Sequence, residues 1–112
     1  MITVKVKRRS DGFPYALSCT GHAGYAEAGA DIICAAVTAL ATTTLSALTD
    51  IIAVEVDYHL ADGDIRCEVQ QTEGLSAKQR EGIVLLFDTF ELGCEQLARS
   101  YNNEYIKVMR AR

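Results

Sequence analysis

No repeat, linker or low-complexity tract interrupts the 112 residues of this chain. Its length suits one domain, residues 1–112, around one core. No apolar run reaches the ~18 to 20 residues that a bilayer-crossing helix needs. The opening "MITVKVKRR" alternates apolar and polar residues, so it reads as a strand and not as a signal peptide. The expected location is therefore the cytoplasm, with no membrane partner. Basic charge is also scarce: the net charge is −4, which disfavours direct nucleic-acid binding. Two small clusters, Lys5, Lys7, Arg8 and Arg9, and then Lys107, Arg110 and Arg112, read as solvated strand faces. The four cysteines form no C-x-x-C pair, and a cytosolic chain of this size does not call for a disulfide framework.

What is present is an ordinary globular balance of 49% apolar and 23% charged residues. "ITVKVK" sets Ile2, Val4 and Val6 on one face of a strand. "SDG" at 10–12 is a turn, and "FPYALSCT" is a second strand with Phe13, Tyr15, Leu17 and Cys19 in one parity. Pro14 cannot donate to a ladder, so it belongs at a strand end or edge. From Asp31, a good N-cap, to about Asp50 an Ala-rich segment reads as one buried helix.

"VEVDYHLADGDIRCEV" is a hairpin whose Asp62-Gly63 pair suits a type I′ turn. A two-residue loop there pairs Leu60 with Ile65, Tyr58 with Cys67 and Val56 with Val69. All six then share a face expected to be buried. Ser76 with Gln79 matches a capping box. Ile83, Leu86, Phe87, Phe90, Cys94 and Leu97 make the apolar stripe of a second helix, and "EYIKVM" closes as a strand. The order β-β-α-β-β-α-β predicts an α+β fold with two layers: two helices on one face of a small mixed or antiparallel sheet.

Periodicity assigns Cys19, Cys67 and Cys94 to packing, since free Cys behaves as a small hydrophobe. Cys34 differs. With Asp31 as N-cap it would be the third helical residue, where backbone N–H groups are unpaired and the helix dipole favours a thiolate. The Asp31 carboxylate opposes that charge. A candidate base is His22, just past the second strand and before the loop "AGYAEAGA", where Gly21, Gly24 and Gly29 would allow movement. The other histidine, His59, falls at the outward parity of the hairpin and reads as a surface residue. Spacing alone leaves three readings of His22 and Cys34 open. They are a nucleophile–base dyad, ordinary packing, or a zinc site with Cys19, which lacks an obvious fourth ligand.

"GHA" followed by "GADIICAAVTAL" resembles the signature of the ribosomal-processing cysteine proteases, the Prp family. That pattern runs Gly-His-Ala, a short glycine-bearing loop, then Gly-x-Asp-Ile-Val-Cys-Ala-Ala-Val-Ser. The resemblance extends along the whole chain. It implies a homodimeric cytoplasmic endopeptidase that removes the N-terminal extension of large-subunit ribosomal protein twenty-seven, cutting after a motif with adjacent phenylalanines. By position it makes Cys34 the nucleophile and His22 the general base, with Asp31 capping the helix and ordering the site. Gly21 and Gly29 would bound a mobile loop, and Tyr25 would help to cover an apolar cleft. Thr38 stands where the family commonly has serine. It keeps a hydroxyl for substrate or dyad, and Ile33 replaces a valine.

Residue types then give the mechanism: thiolate attack, protonation of the leaving amine by His22, and hydrolysis of the thioester. Unpaired N–H groups at the helix start would serve the oxyanion, and neither metal nor organic cofactor is needed. The competing class is a non-catalytic ribosome-associated module that grips a basic protein tail.

Overall fold

Period-two burial organises the first strand: Ile2, Val4 and Val6 are buried while Lys5 and Lys7 face out. The structure, a computed structural model, describes residues 1–22 and 28–110. Its elements are β1 (Ile2–Arg8), β2 (Pro14–Thr20), α1 (Ala28–Asp50), β3 (Val56–Ala61), β4 (Asp64–Val69), α2 (Ala77–Ser100) and β5 (Ile106–Arg110). The five strands lie in the order β3-β4-β2-β1-β5. All neighbours are antiparallel except β1 and β5, which run parallel. The expected α+β order and mixed sheet are therefore present. Pro14 opens β2, and the β1–β2 register shifts between Lys7 and Arg8 at the same place.

The core lies between the sheet and the helices. From α1 it takes Ile33, Val37, Ala41, Leu45 and Leu48; from α2 it takes Ile83, Phe87, Phe90 and Cys94. Helix α2 packs on β1, β2 and β5, whereas α1 packs on β2, β3 and β4. Ser76 caps α2 with a complete capping box: its hydroxyl accepts from the Gln79 N–H, and the Gln79 side chain accepts from the Ser76 N–H. Among the described residues, ionic contacts cross the layers. Arg8 on β1 reaches Asp88 at 3.0 Å and the buried Glu91 at 3.2 Å, both on α2.

Four expectations need correction. Helix α1 begins at Ala28, so Asp31 lies inside it and is not its N-cap. The Ile32–Asp50 segment, 19 residues, is long and apolar enough to cross a membrane by length and composition. Its inward residues nevertheless pack on the sheet as the core helix of this domain. The hairpin has the expected register, but Tyr58 and Leu60 are 63% and 48% exposed. β3 is an edge strand of the sheet, and every one of its residues after Val56 is exposed. Finally, a positive φ occurs at Gly63 (72°) and not at Asp62, so the turn is not type I′ but has the left-handed third residue of a type II turn.

Removing the capping hydroxyl tests how much α2 depends on its first turn. Ser76→Ala should cost about 1 kcal/mol, read as a Tm lower by about 4 °C in thermal melts followed by circular dichroism.

Candidate active site

β2 ends against the β3–β4 turn, and the chain leaves the sheet through two residues that only just fit. Gly21 has φ 95°, and its N–H donates to the Gly63 carbonyl at 2.9 Å. Any side chain at Gly21 would strike the Met1 carbonyl oxygen. The next residue, His22, lays its ring over Gly63: a Cβ built there would stand 2.6 Å from Nε2 and 2.9 Å from Cε1. On the other edge of the ring, Nδ1 is 4.0 Å from Oδ1 of Asp62. The imidazole is 59% exposed.

From the opposite side α1 delivers Cys34, half-buried, between the core residues Ile33 and Val37. One turn on, the Thr38 hydroxyl donates to the Cys34 carbonyl at 2.8 Å. A small cleft of about 50 Å³ brings together His22, Cys34, Thr38 and Gly21 with Asp62 and Gly63. Four of the singled-out positions thus share one cleft. The sequence marks Asp62 only as a turn former; its carboxylate comes beside the ring once β3 and β4 fold against β2.

The other two positions fare differently. Gly29 is the second residue of α1, and residues 23–27 of the expected loop lie outside the described residues. Asp31 is the fourth and Cys34 the seventh. Nothing is described of the Asp31 side chain, and Gly24 and Tyr25 lie outside the described residues. The shift has a chemical consequence. Unpaired N–H groups and the concentrated positive end of the dipole belong to the first turn, at 28–30. The Cys34 N–H is therefore within the helical ladder, and the expected oxyanion donors at the helix start are not beside the thiol.

Among the other thiols, burial pushes Cys19 up to about 12, with the Cys67 thiol adding to it. Burial likewise pushes Cys67 up to about 12. For Cys94 burial raises the pKa too, helped by Cys19, Glu91 and Glu95. All three are buried in the core, as their parities require. A thiol held neutral this way is a poor zinc ligand, which weighs against Cys19 in the zinc reading. No three His, Cys, Asp or Glu side chains among the described residues are grouped to hold a metal. His59 is exposed on β3, 3.5 Å from Asp64 Oδ2.

Comparison with known proteins gives a consistent result. Residues 1–107 match the family described as cysteine protease Prp. The ribosomal processing cysteine protease Prp of Bacillus subtilis is 26% identical over 103 residues, which is 92% of this chain and 92% of that protein. Among solved structures, the essential ribosomal processing protease Prp from S. aureus, with a covalently linked product peptide, superposes with a TM-score of 0.78. That match has 24% identity over 96% of this chain and 97% of that one, and it speaks to fold. A protein from Streptococcus mutans superposes at 0.73, with 32% identity over 96% of this chain and 91% of its own.

The burial contrast predicts selective labelling. At neutral pH iodoacetamide should modify Cys34 and spare Cys19, Cys67 and Cys94, as located by peptide mass spectrometry. Because burial raises the pKa of Cys19 and Cys67 above that of a free thiol, the unfolded chain releases those protons first. Their contribution is whole below about pH 9 and should fade as pH rises through about 12. Urea midpoints measured across that range should fall, and substituting Cys67 by Ala should flatten the fall.

Proposed function

The chain belongs to the cysteine protease Prp family, and from that membership we propose that it removes the N-terminal extension of large-subunit ribosomal protein twenty-seven with Cys34 and His22. The observation that carries the reading is the shared cleft, where the only half-buried thiol meets the histidine that ends β2. The Cys34 thiol gives its proton to His22 and its sulfur attacks the scissile carbonyl. Collapse of the tetrahedral adduct breaks the C–N bond as the imidazolium protonates the departing amine. Water then loses a proton to His22 and cleaves the thioester, which restores the thiol. Protein side chains supply every proton transfer, so the reaction needs no metal or organic cofactor.

Thr38 contributes within limits. Its hydroxyl proton is committed to the Cys34 carbonyl, so it offers a substrate an acceptor and not a donor. That serves a backbone N–H of an extended peptide. The methyl it adds relative to serine takes up space at the cleft.

The enzyme is further proposed to work in the cytoplasm as a homodimer. What supports a dimer is the outer face of the helical layer. A groove of about 620 Å³ between α1 and α2 is lined by small and apolar residues, Ala39, Leu40, Ala47, Leu86 and Leu97 among them. Beside it on α2, Leu85 and Leu92 are left exposed. Contiguous apolar surface of this kind is uncommon on a free monomer.

Incubation with a synthetic extended ribosomal-protein peptide, followed by mass spectrometry, tests the activity. Wild-type protein should give two fragments. Cys34→Ala should lower the rate by ~1000-fold or more with the thermal melt unchanged, and full activity in that variant would sink the mechanism. Loss of His22 should cost ~100-fold or more, whereas His59→Ala should stay within about twofold. A peptide bound but left intact by wild-type protein would favour the binding module instead. For the assembly, Leu92→Glu together with Ala39→Glu should convert a dimer to a monomer by light scattering.

A further inference from the structure

We propose that the Asp62–Gly63 turn is the positioning element of the protease, with Gly63 as the seat of the His22 ring and the Asp62 carboxylate setting its orientation. The proposal rests on the Cys34–His22 reading and adds the part of the site that holds the base still. Gly63 has two separate reasons to be glycine. One is its φ of 72°, which turn geometry explains. The other is contact: its missing Cβ would lie 2.6, 2.9 and 3.2 Å from Nε2, Cε1 and Cδ2 of His22. The ring occupies the volume that any side chain would need.

Turn chemistry does not require this second feature. Gly12 and Gly74 have similarly positive φ values, 90° and 75°, and a Cβ at either would meet nothing within 4 Å. The seat is also tied to the base along the backbone. The Gly21 N–H to Gly63 carbonyl bond, at 2.9 Å, anchors the residue immediately before His22. A solvent-exposed histidine with rotatable χ1 and χ2 would otherwise sample several rotamers. A flat floor beneath the ring restricts them.

Asp62 provides direction. Two aspartates flank the turn, but Asp64 is engaged elsewhere: it accepts from Arg66 Nε at 3.1 Å and from the terminal nitrogen at 3.0 Å. His59 is 3.5 Å from it as well. Asp62 Oδ1 is the carboxylate oxygen next to Nδ1 of His22, at 4.0 Å. As an exposed pair it contributes little to stability. Its role is to favour the proton on Nδ1 and leave Nε2 to exchange a proton with the thiol.

Glycine variants matched for backbone strain make the test. Gly63→Ala and Gly12→Ala should lose similar stability, because both place alanine at positive φ. Only Gly63→Ala should lose kcat, by about 100-fold with KM little changed, as misplacement of a base by about 1 Å does. Asp62→Asn keeps a good turn former and should lower kcat by about 10-fold, with Asp62→Glu recovering most of it. Equal kcat losses in the two glycine variants, or none in Gly63→Ala, would overturn the seat. Wild-type kcat in Asp62→Asn would overturn the orienting role. A readout independent of cleavage separates this from the parent reading: the ring resonances of His22 in nitrogen-15 NMR should move in Gly63→Ala and stay in Gly12→Ala. If wild-type protein cleaves nothing, the protease reading fails, yet those resonances still decide whether Gly63 seats the ring. If they do not move in Gly63→Ala, the seat is wrong even where cleavage by Cys34 stands.

Discussion

A single backbone hydrogen bond, from Gly21 N–H to the Gly63 carbonyl at 2.9 Å, closes the corner of the sheet on which the site is built. The β2–β4 ladder pairs as far as Thr20 with Asp64, and this bond carries the pairing around the end. It brings two chain segments close together: a Cβ at Gly21 would collide with the Met1 backbone, and one at Gly63 would displace the ring of His22. His22 is thereby attached to the sheet. Cys34 is attached to α1, whose neighbours Ile33 and Val37 are 0% and 2% exposed. The two parts meet at the cleft.

That division changes the account of how the thiol is activated. A cysteine at the third residue of a helix draws on the dipole and on unpaired N–H groups. At the seventh residue of α1 it draws on neither, since both effects fade within the first turn. The other three thiols are held neutral by burial. Cys34 differs from them in being half-buried, and it lines one cleft with His22. In the proposed dyad activation comes from the imidazole, so the precision with which that ring is held matters most.

Much of this was legible from residue patterns, because local periodicity and local chemistry carry it. Alternation identified the strands, Asp-Gly set the hairpin register, and Ser76 with Gln79 marked the start of α2. Features that depend on distant elements were not legible. Asp31 has the chemistry of a cap, but the Ala-Gly-Ala before it offers nothing that stops a helix from beginning earlier. Tyr58 and Leu60 have the parity of core residues; their exposure follows from β3 being an edge strand, which is a property of strand order. Glu91 interrupts an apolar stripe, and only the fold reveals Arg8 on β1 as its partner. Asp62 carried a sufficient local reason to be aspartate, so its second role beside His22 left no mark in the pattern. The substrate class came from resemblance to a family, since no spacing of residues encodes which peptide is cut.

The contrast between the two sides of the cleft also indicates where the site can adapt. Moving the backbone of Cys34 means shifting α1, and that would expose Ile33, Val37 and Leu48, each fully buried against the sheet or nearly so. At roughly 1.5–3 kcal/mol per large apolar side chain, such a shift is prohibitive for routine turnover. His22 is 59% exposed at the end of a strand, and its ring can rotate without opening the core. In the proposed dyad substrate-linked adjustment then falls on the histidine side, and the glycine beneath the ring is what limits its turning.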